Sequence, residues 1–353
     1  MSADTRPERV VIKIGTSSLI SAGLPDPVKL IALADAVARL RADGRQPVVV
    51  ASGAIAVGDA RLARAGCLPT AAARQVSAAV GQGLLFDAFR QALDERGLVA
   101  AQILLTPPDL TGADHRESAY AVLDAALDAG LVPVVNENDA VMVRNNDVLA
   151  ALVAAVLRAG RLVLLTDVPG VYDSDPRTRP SARLIPEIKV MTPDVERSAG
   201  ASGDGPGTGG MAAKLCAAWI GTMAGVTTVI AGADTPDGVV RAMAGENVGT
   251  VVHPRILSSV PDPATLWAAL SELPSGRLLC GPDALRVLAE GRPLTSAHVR
   301  SVTGLFPAGS VVDVVAGEGV VARGRVLLGH DLCASANDAV LIHPTRYISL
   351  LEP

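Results

Sequence analysis

The sequence is poor in lysine, aromatic residues and cysteine, and each scarcity closes off a class of function. Only 2% of the 353 residues are aromatic (three Phe, two Trp, three Tyr), and the net charge is -5. Few rings are available to stack on bases and no bulk positive field attracts phosphate backbones, so nucleic acid is not the expected partner. The four cysteines, Cys67, Cys216, Cys280 and Cys333, lie far apart, with no Cys-x-x-Cys pair. That argues against a disulfide framework and against a metal cage, and for reduced thiols. The longest uncharged apolar run, Val148 to Leu157, is too short to span a bilayer. The N-terminal stretch has no apolar segment of signal-peptide length, so a cytoplasmic protein with no membrane partner is expected. Lysine is the most telling absence: of 31 basic residues only four are lysines, namely Lys13, Lys29, Lys189 and Lys214. Arginine carries the routine surface charge, so each remaining lysine is a candidate for a special task.

What is present is ample core material. Apolar residues make up 49% of the chain and charged residues 19%, which excludes a disordered chain, and the length suits one large domain with a smaller one. From residue 9 to about 253, short β-branched runs alternate with Ala/Leu-rich amphipathic stretches. This pattern predicts a three-layer α/β fold with a mainly parallel central sheet. Strands are expected at 10–15, 47–55, 100–105, 131–136, 161–167 and 227–232, with a helix over 27–42 stopped by Asp43-Gly44. After His253 the texture changes. The expected organisation is a first domain over 1–257, a Pro/Ser-rich linker over 258–275, and a small, mostly β module over 276–353.

Several segments could carry chemistry. Residues 200–210 contain six glycines and run into an Ala-rich helix that holds Lys214. Such a stretch exposes backbone N–H groups at a helix N-terminus, where the dipole favours phosphate. A flexible surface loop is the competing reading, and neither a dinucleotide fingerprint nor a Walker A loop is present. Lys13 interrupts an apolar strand at its carboxyl end, where ligands bind in open α/β sheets; snorkelling from a sheet edge is the alternative. Polar residues follow other strands in the same way: Ser52-Gly53, Asn136-Glu137-Asn138-Asp139 and Thr166-Asp167, with Asn145-Asn146-Asp147 opening a helix, where capping alone would also account for them. Together they suit phosphoryl transfer, in which two lysines and a glycine-rich loop surround a polyphosphate and an acid such as Asp147 or Asp167 orients them. No histidine falls in these segments. A carboxylate acceptor, ionised at neutral pH with a pKa of about 4, needs no general base, so a kinase making an acyl phosphate is favoured over one acting on a hydroxyl.

The motifs VVIKIGTSSL, VVVASGAIAVG, AAVGQG, LVPVVNENDAV, NND before an Ala/Leu helix, LLTDVPGVYDSDP and GTGGMAAK, in this order, resemble the amino acid kinase family, in the branch that phosphorylates glutamate. The resemblance covers roughly residues 9–253. The C-terminal segments SVTGLFPAGSVVDVV and VARGRVLL are similar to a PUA domain, the module shared with pseudouridine synthases and archaeosine transglycosylases. The resemblance implies transfer of the ATP γ-phosphate to the side-chain carboxylate of L-glutamate, the first step toward proline, with Mg²⁺, in a homo-oligomer (dimer or tetramer). It implies that Lys13 and Lys214 neutralise the transferring group while Asp147 holds them. Lys13, Thr166, Asp167, Thr208, Gly209, Gly210, Met211 and Lys214 would bind ATP, and Ser52, Asn136, Asp139 and Asn146 would bind glutamate; no residue is implied as a protein ligand to metal. The family reads Gly-Asp-Asn-Asp where this chain has Arg144-Asn145-Asn146-Asp147, and Asn-Ala where it has Ser118-Ala119. Two alternatives remain at this stage: a kinase of the same family acting on another small carboxylate, and an RNA-binding regulator that uses the PUA-like module. The low aromatic content and negative charge weigh against RNA binding.

Overall fold

The computed structural model describes residues 7–67, 73–142, 145–199, 210–333 and 338–351. The chain opens with strand β1 (Arg9–Ile14), the hairpin strands β2 (Ile20–Ser21) and β3 (Leu24–Pro25), and helix α1 (Pro27–Ala42). Then come β4 (Gln46–Val50), α2 (Ala54–Arg64), α3 (Ala73–Asp94), β5 (Ala100–Leu105), α4 (Pro107–Thr111), α5 (Ala113–Asp128) and β6 (Val132–Glu137). The series continues with α6 (Asn146–Leu157), β7 (Arg161–Thr166), β8 (Glu187–Ile188), α7 (Pro193–Ser198), α8 (Met211–Ala224), β9 (Thr227–Gly232), α9 (Gly238–Met243) and β10 (Thr250–Val252).

Local sequence sets these boundaries. Asp26 caps α1 by accepting from the backbone N–H groups of Val28 and Lys29, Pro27 occupies the first turn, and Gly44 follows at φ +77°. The helix over 27–42 is therefore as expected, as are the strands at 100–105 and 227–232. The strand expected over 47–55 ends at Val50, because Ala54 already begins α2. Apolar residues run across that boundary, so hydrophobicity alone does not mark it.

Eight strands form one sheet in the order β5-β6-β4-β1-β7-β9-β10-β8, parallel throughout except for the antiparallel β9–β10 pair. The central strands are apolar on both faces, as a sheet covered by helices on both sides requires. One core cluster packs α1 and α3 against the sheet through Leu33, Val37, Leu85 and Phe89; the other packs α5, α6 and α8 through Leu123, Leu149, Leu152 and Ile220. The helices α2 and α3 touch backbone to backbone. A Cβ on Gly58 would lie 1.8 Å from the Ser77 carbonyl oxygen, and one on Gly81 would lie 1.9 Å from that of Ala54. Only glycine permits this approach.

The segment 258–275, expected as a linker, holds helix α10 (Pro263–Leu270), whose Leu266, Ala269 and Leu270 join the α6/α8 core. Beyond it lie β11 (Gly276–Cys280), α11 (Asp283–Ala289), β12 (Leu294–Thr295), β13 (Val299–Thr303), β14 (Val311–Ala316), β15 (Gly319–Arg325), α12 (His330–Cys333), β16 (Val340–Ile342) and β17 (Tyr347–Ser349). Five of these strands form a second sheet in the order β13-β11-β14-β15-β17 around its own core.

Arg323 on β15 joins the two sheets' domains. It is fully buried, donates from Nε to Asp313 at 2.8 Å, and grips Glu196 of α7 bidentately at 2.7 and 3.1 Å. The Trp219 indole of α8 also donates to Glu196, and the guanidinium lies 5.4 Å from that ring's centroid. Burial opposes the Arg323 charge, but the two carboxylates more than restore it and its pKa rises. Removing one member of such a network strands the others, at a cost of about 3–5 kcal/mol. Arg323→Met should lower unfolding stability by about that much in a denaturant titration; a loss below about 1 kcal/mol, the scale of an exposed pair, would show that the network does not bind the C-terminal module in place.

Candidate active site

The carboxyl end of the central sheet gathers the expected residues. Lys13 leaves β1 between β4 and β7, Asp147 lies in the first turn of α6, and Lys214 lies in the first turn of α8. All three are buried. Asp147 Oδ1 stands 2.7 Å from Lys13 Nζ, and Oδ2 stands 3.4 Å from Lys214 Nζ. One carboxylate thus holds two ammonium groups, and the trio carries a net charge of +1. A buried cluster with a positive balance suits an anionic ligand electrostatically. Burial pushes the Lys13 pKa below the ordinary lysine value, with Asp147 opposing the shift and Lys214 adding to it.

The other two lysines have ordinary surroundings. Lys29 donates to the Ser17 carbonyl, and Lys189 forms an exposed pair with Glu187 at 3.8 Å.

A cleft of about 300 Å³ opens beside Lys13. Of the expected residues, Ser52, Asp139 and Asn146 line it together with Lys13; Asn136 is buried and does not line it, its amide donating to Gln82 of α3 at 2.7 Å. The Asn146 side chain accepts from the Glu137 backbone N–H at 3.1 Å, which ties the start of α6 to the end of β6. Asn145 caps α6 by accepting from the Asp147 N–H at 2.9 Å, a task Asn performs as well as the Asp the family pattern has there. Ser118 bonds back to the Asp114 carbonyl on α5 and lies outside the cleft.

Four polar residues to which the sequence reading gave no role also line the cleft: Thr16 and Glu137, which lie within the quoted motifs, and Asp59 and Arg74, which lie outside them. Glu137 was in view within the Asn-Glu-Asn-Asp run, and Arg74 stands just ahead of the AAVGQG motif. Burial raises the Asp139 pKa to about 6, and the Arg74 charge partly opposes the rise.

The nucleotide-side expectations fall on neighbouring elements. Thr166 ends β7 next to β1 and donates from Oγ1 to Asp167 at 3.0 Å, while Gly210 and Met211 begin α8. Thr208 and Gly209 lie outside the described residues.

Residues 8–232 match the model of the amino acid kinase family, and the chain belongs to that family. Within it, the chain groups with the glutamate 5-kinases. It is 40% identical to the glutamate 5-kinase of Geobacter sulfurreducens over 333 residues, covering 92% of this chain and 88% of the relative. It is 41% identical to that of Salinispora arenicola over 332 residues (91% and 88%), and 35% identical to glutamate 5-kinase 1 of Bacillus licheniformis over 327 residues (91% and 89%). Among solved structures, carbamate kinase from Giardia lamblia bound to AMP-PNP aligns with a TM-score of 0.53 at 18% identity, over 72% of this chain and 100% of that one. An isopentenyl phosphate kinase aligns with a TM-score of 0.50 at 23% identity, over 69% and 99%. These two structures share the fold.

Two outcomes test the electrostatics. Asp147→Asn should cut kcat on the order of a hundredfold or more, and should move the alkaline limb of the kcat–pH profile down, because Asp147 opposes the lowering of the Lys13 pKa. A variant whose alkaline limb stays in place would mean that Asp147 does not hold the Lys13 charge. If Asp139 must be ionised to hold a cationic group, the KM for the acceptor should rise as pH falls below about 6; a KM flat from pH 7 to 5 would contradict that role.

Proposed function

We propose that the protein transfers the γ-phosphate of ATP to the side-chain carboxylate of L-glutamate, giving L-glutamyl 5-phosphate, the first step of proline biosynthesis. The observation that carries this reading is the buried Lys13–Asp147–Lys214 trio, whose Lys13 opens onto a cleft lined by Asp59, Glu137, Asp139 and the Asn146 amide. The glutamate 5-kinases among its relatives support the choice of acceptor.

Phosphoryl transfer asks little covalent chemistry of a protein and much positioning and charge neutralisation. Lys13 and Lys214 would neutralise the equatorial oxygens of the moving phosphoryl group, with Asp147 fixing the spacing of the two ammonium groups. Thr166, Asp167, Gly210, Met211 and, outside the described residues, Thr208 and Gly209 are assigned to the nucleotide. Ser52, Asn136, Asp139 and Asn146 are assigned to the amino acid, with Asp139 facing its ammonium group.

The residues present also fit Mg²⁺. Among the described residues no group of three His, Cys, Asp or Glu side chains forms a dedicated cage, and Asp147 is taken up by two lysines. Such a site suits a cation that travels on the substrate's phosphates and keeps most of its waters, with the exposed Asp167 as the protein group nearest that role. When bound, the ion would add charge neutralisation across the phosphates.

The second sheet is read as a PUA-like module that serves the enzyme and does not read RNA, and the enzyme is read as a cytoplasmic homo-oligomer (dimer or tetramer). Among the described residues no helix is long and apolar enough to cross a membrane.

A hydroxyl acceptor is a second reading with an observation in its favour: an Asp139 pKa of about 6 lies in the range of a general base. ADP release should be measured with glutamate, aspartate, N-acetylglutamate and UMP, with hydroxylamine present. Glutamate-dependent ADP together with a hydroxamate is expected; ADP without hydroxamate points to an acceptor other than a carboxylate, and no turnover on any acid overturns the proposal. Lys214→Arg should lose most activity although it keeps the charge, because a planar guanidinium does not replace a compact ammonium. Near-normal turnover would remove Lys214 from the site.

A further inference from the structure

Taking L-glutamate as the acceptor, the cleft poses a matching problem. The ligand carries three charges: the reacting carboxylate, the ammonium group and the α-carboxylate. The reacting carboxylate must lie at the Lys13 end, where the phosphoryl group arrives. The acids Asp139, Glu137 and Asp59 line the remainder and suit the ammonium group. The α-carboxylate then needs a cation, and among the described lining residues Arg74 is the one full positive charge besides Lys13.

We propose that Arg74 receives the α-carboxylate of the acceptor and thereby sets the preference for an α-amino acid over carboxylates that lack that group. Arg74 lies in the first turn of α3 and makes no hydrogen bond or ion pair with another described residue. Arg74 and Asp139 line the same cleft, and the Arg74 charge is felt at Asp139, so the two are placed to meet neighbouring groups of one ligand. A guanidinium binds a carboxylate through two parallel N–H donors, which adds direction to attraction.

Arg74 is exposed at the rim, but the helix carrying it is fixed. The glycine contacts at Gly58 and Gly81 lock α3 to α2, whose first residue, Ala54, follows the cleft residues Ser52 and Gly53. Farther along α3, Ser77 donates to Asp59 and Gln82 accepts from Asn136. One rigid helix therefore carries the proposed carboxylate grip and braces both an acid of the cleft and the end of β6. The location is also consistent with substrate entry, since a rim arginine meets the outer end of a ligand whose reacting end points inward.

The test compares acceptors with and without the α-carboxylate. The full-length protein and its Arg74→Gln and Arg74→Lys variants would be assayed with L-glutamate and with 4-aminobutyrate, which keeps the ammonium group and the γ-carboxylate. Where 4-aminobutyrate turns over too slowly, its competitive inhibition constant against glutamate replaces kcat/KM. Arg74→Gln should lose about 10- to 100-fold in kcat/KM for glutamate, the worth of a charged hydrogen-bonded contact. It should keep the wild-type KM for ATP and the wild-type value for 4-aminobutyrate, and Arg74→Lys should recover part of the loss. An equal loss on both acceptors, or no loss on glutamate, overturns the role of Arg74 while leaving the kinase reading intact. A wild-type protein that phosphorylates neither acid overturns the acceptor reading itself. The unfolding midpoint of Arg74→Gln should match wild type, because an exposed side chain is being shortened.

Discussion

One carboxylate between two lysines is the constraint on which the rest of the site depends. Asp147 is wholly enclosed, and it sits where three elements far apart in sequence converge: the end of β1, the start of α6 and the start of α8. Bringing two ammonium groups together in a dry interior is unfavourable unless an anion stands between them. Asp147 supplies that anion to both ammonium groups, at 2.7 and 3.4 Å. The same balance accounts for a Lys13 whose burial, and the second lysine beside it, weaken its hold on its proton, and for a site that would be better satisfied with a phosphoryl group present than without one.

The surrounding structure holds this trio from several directions. The sheet fixes Lys13 through parallel neighbours on both sides, and the Asn145 cap together with the Asn146–Glu137 contact fixes the first turn of α6. Helix α8 is held farther along by Trp219, whose indole meets Glu196 and, through it, Arg323 of the C-terminal sheet. The second domain is therefore joined by buried charge to the helix that carries Lys214. Its contacts are those of a permanent fixture, with α10 and Ile348 built into the first domain's core.

Much of this was legible in the sequence, and the unread parts share a physical cause. The αβ alternation, the capped helix over 27–42 and most strand positions follow from local rules: continuous apolar runs, an Asp-Pro start and a glycine stop. Lys13 and Lys214 stood out because lysine is otherwise rare, and Asp147 because it opens a helix next to a polar run. Long-range choices left no local mark. Glu196 and Arg323 lie 127 residues apart and only the fold pairs them. Arg74 and Asp59 are ordinary charged helix residues until the glycine contacts of α2 and α3 turn them toward the cleft. The helix within 258–275 was hidden by prolines that mark its start, Pro263 standing just after the Asp262 cap. The raised pKa of Asp139 is a matter of burial, which no spacing of residues reveals.

The central claim is that the shared charge of Lys13 and Lys214 is the landing place of the transferred phosphoryl group. The most direct measurement is a structure of the complex with a non-hydrolysable ATP analogue and L-glutamate. The account predicts γ-phosphate oxygens within hydrogen-bond reach of both Nζ atoms, about 2.7–3.2 Å, with the amino acid's side-chain carboxylate facing the phosphorus from the cleft. A γ-phosphate bound away from either lysine, with Asp147 still enclosed between them, would contradict it.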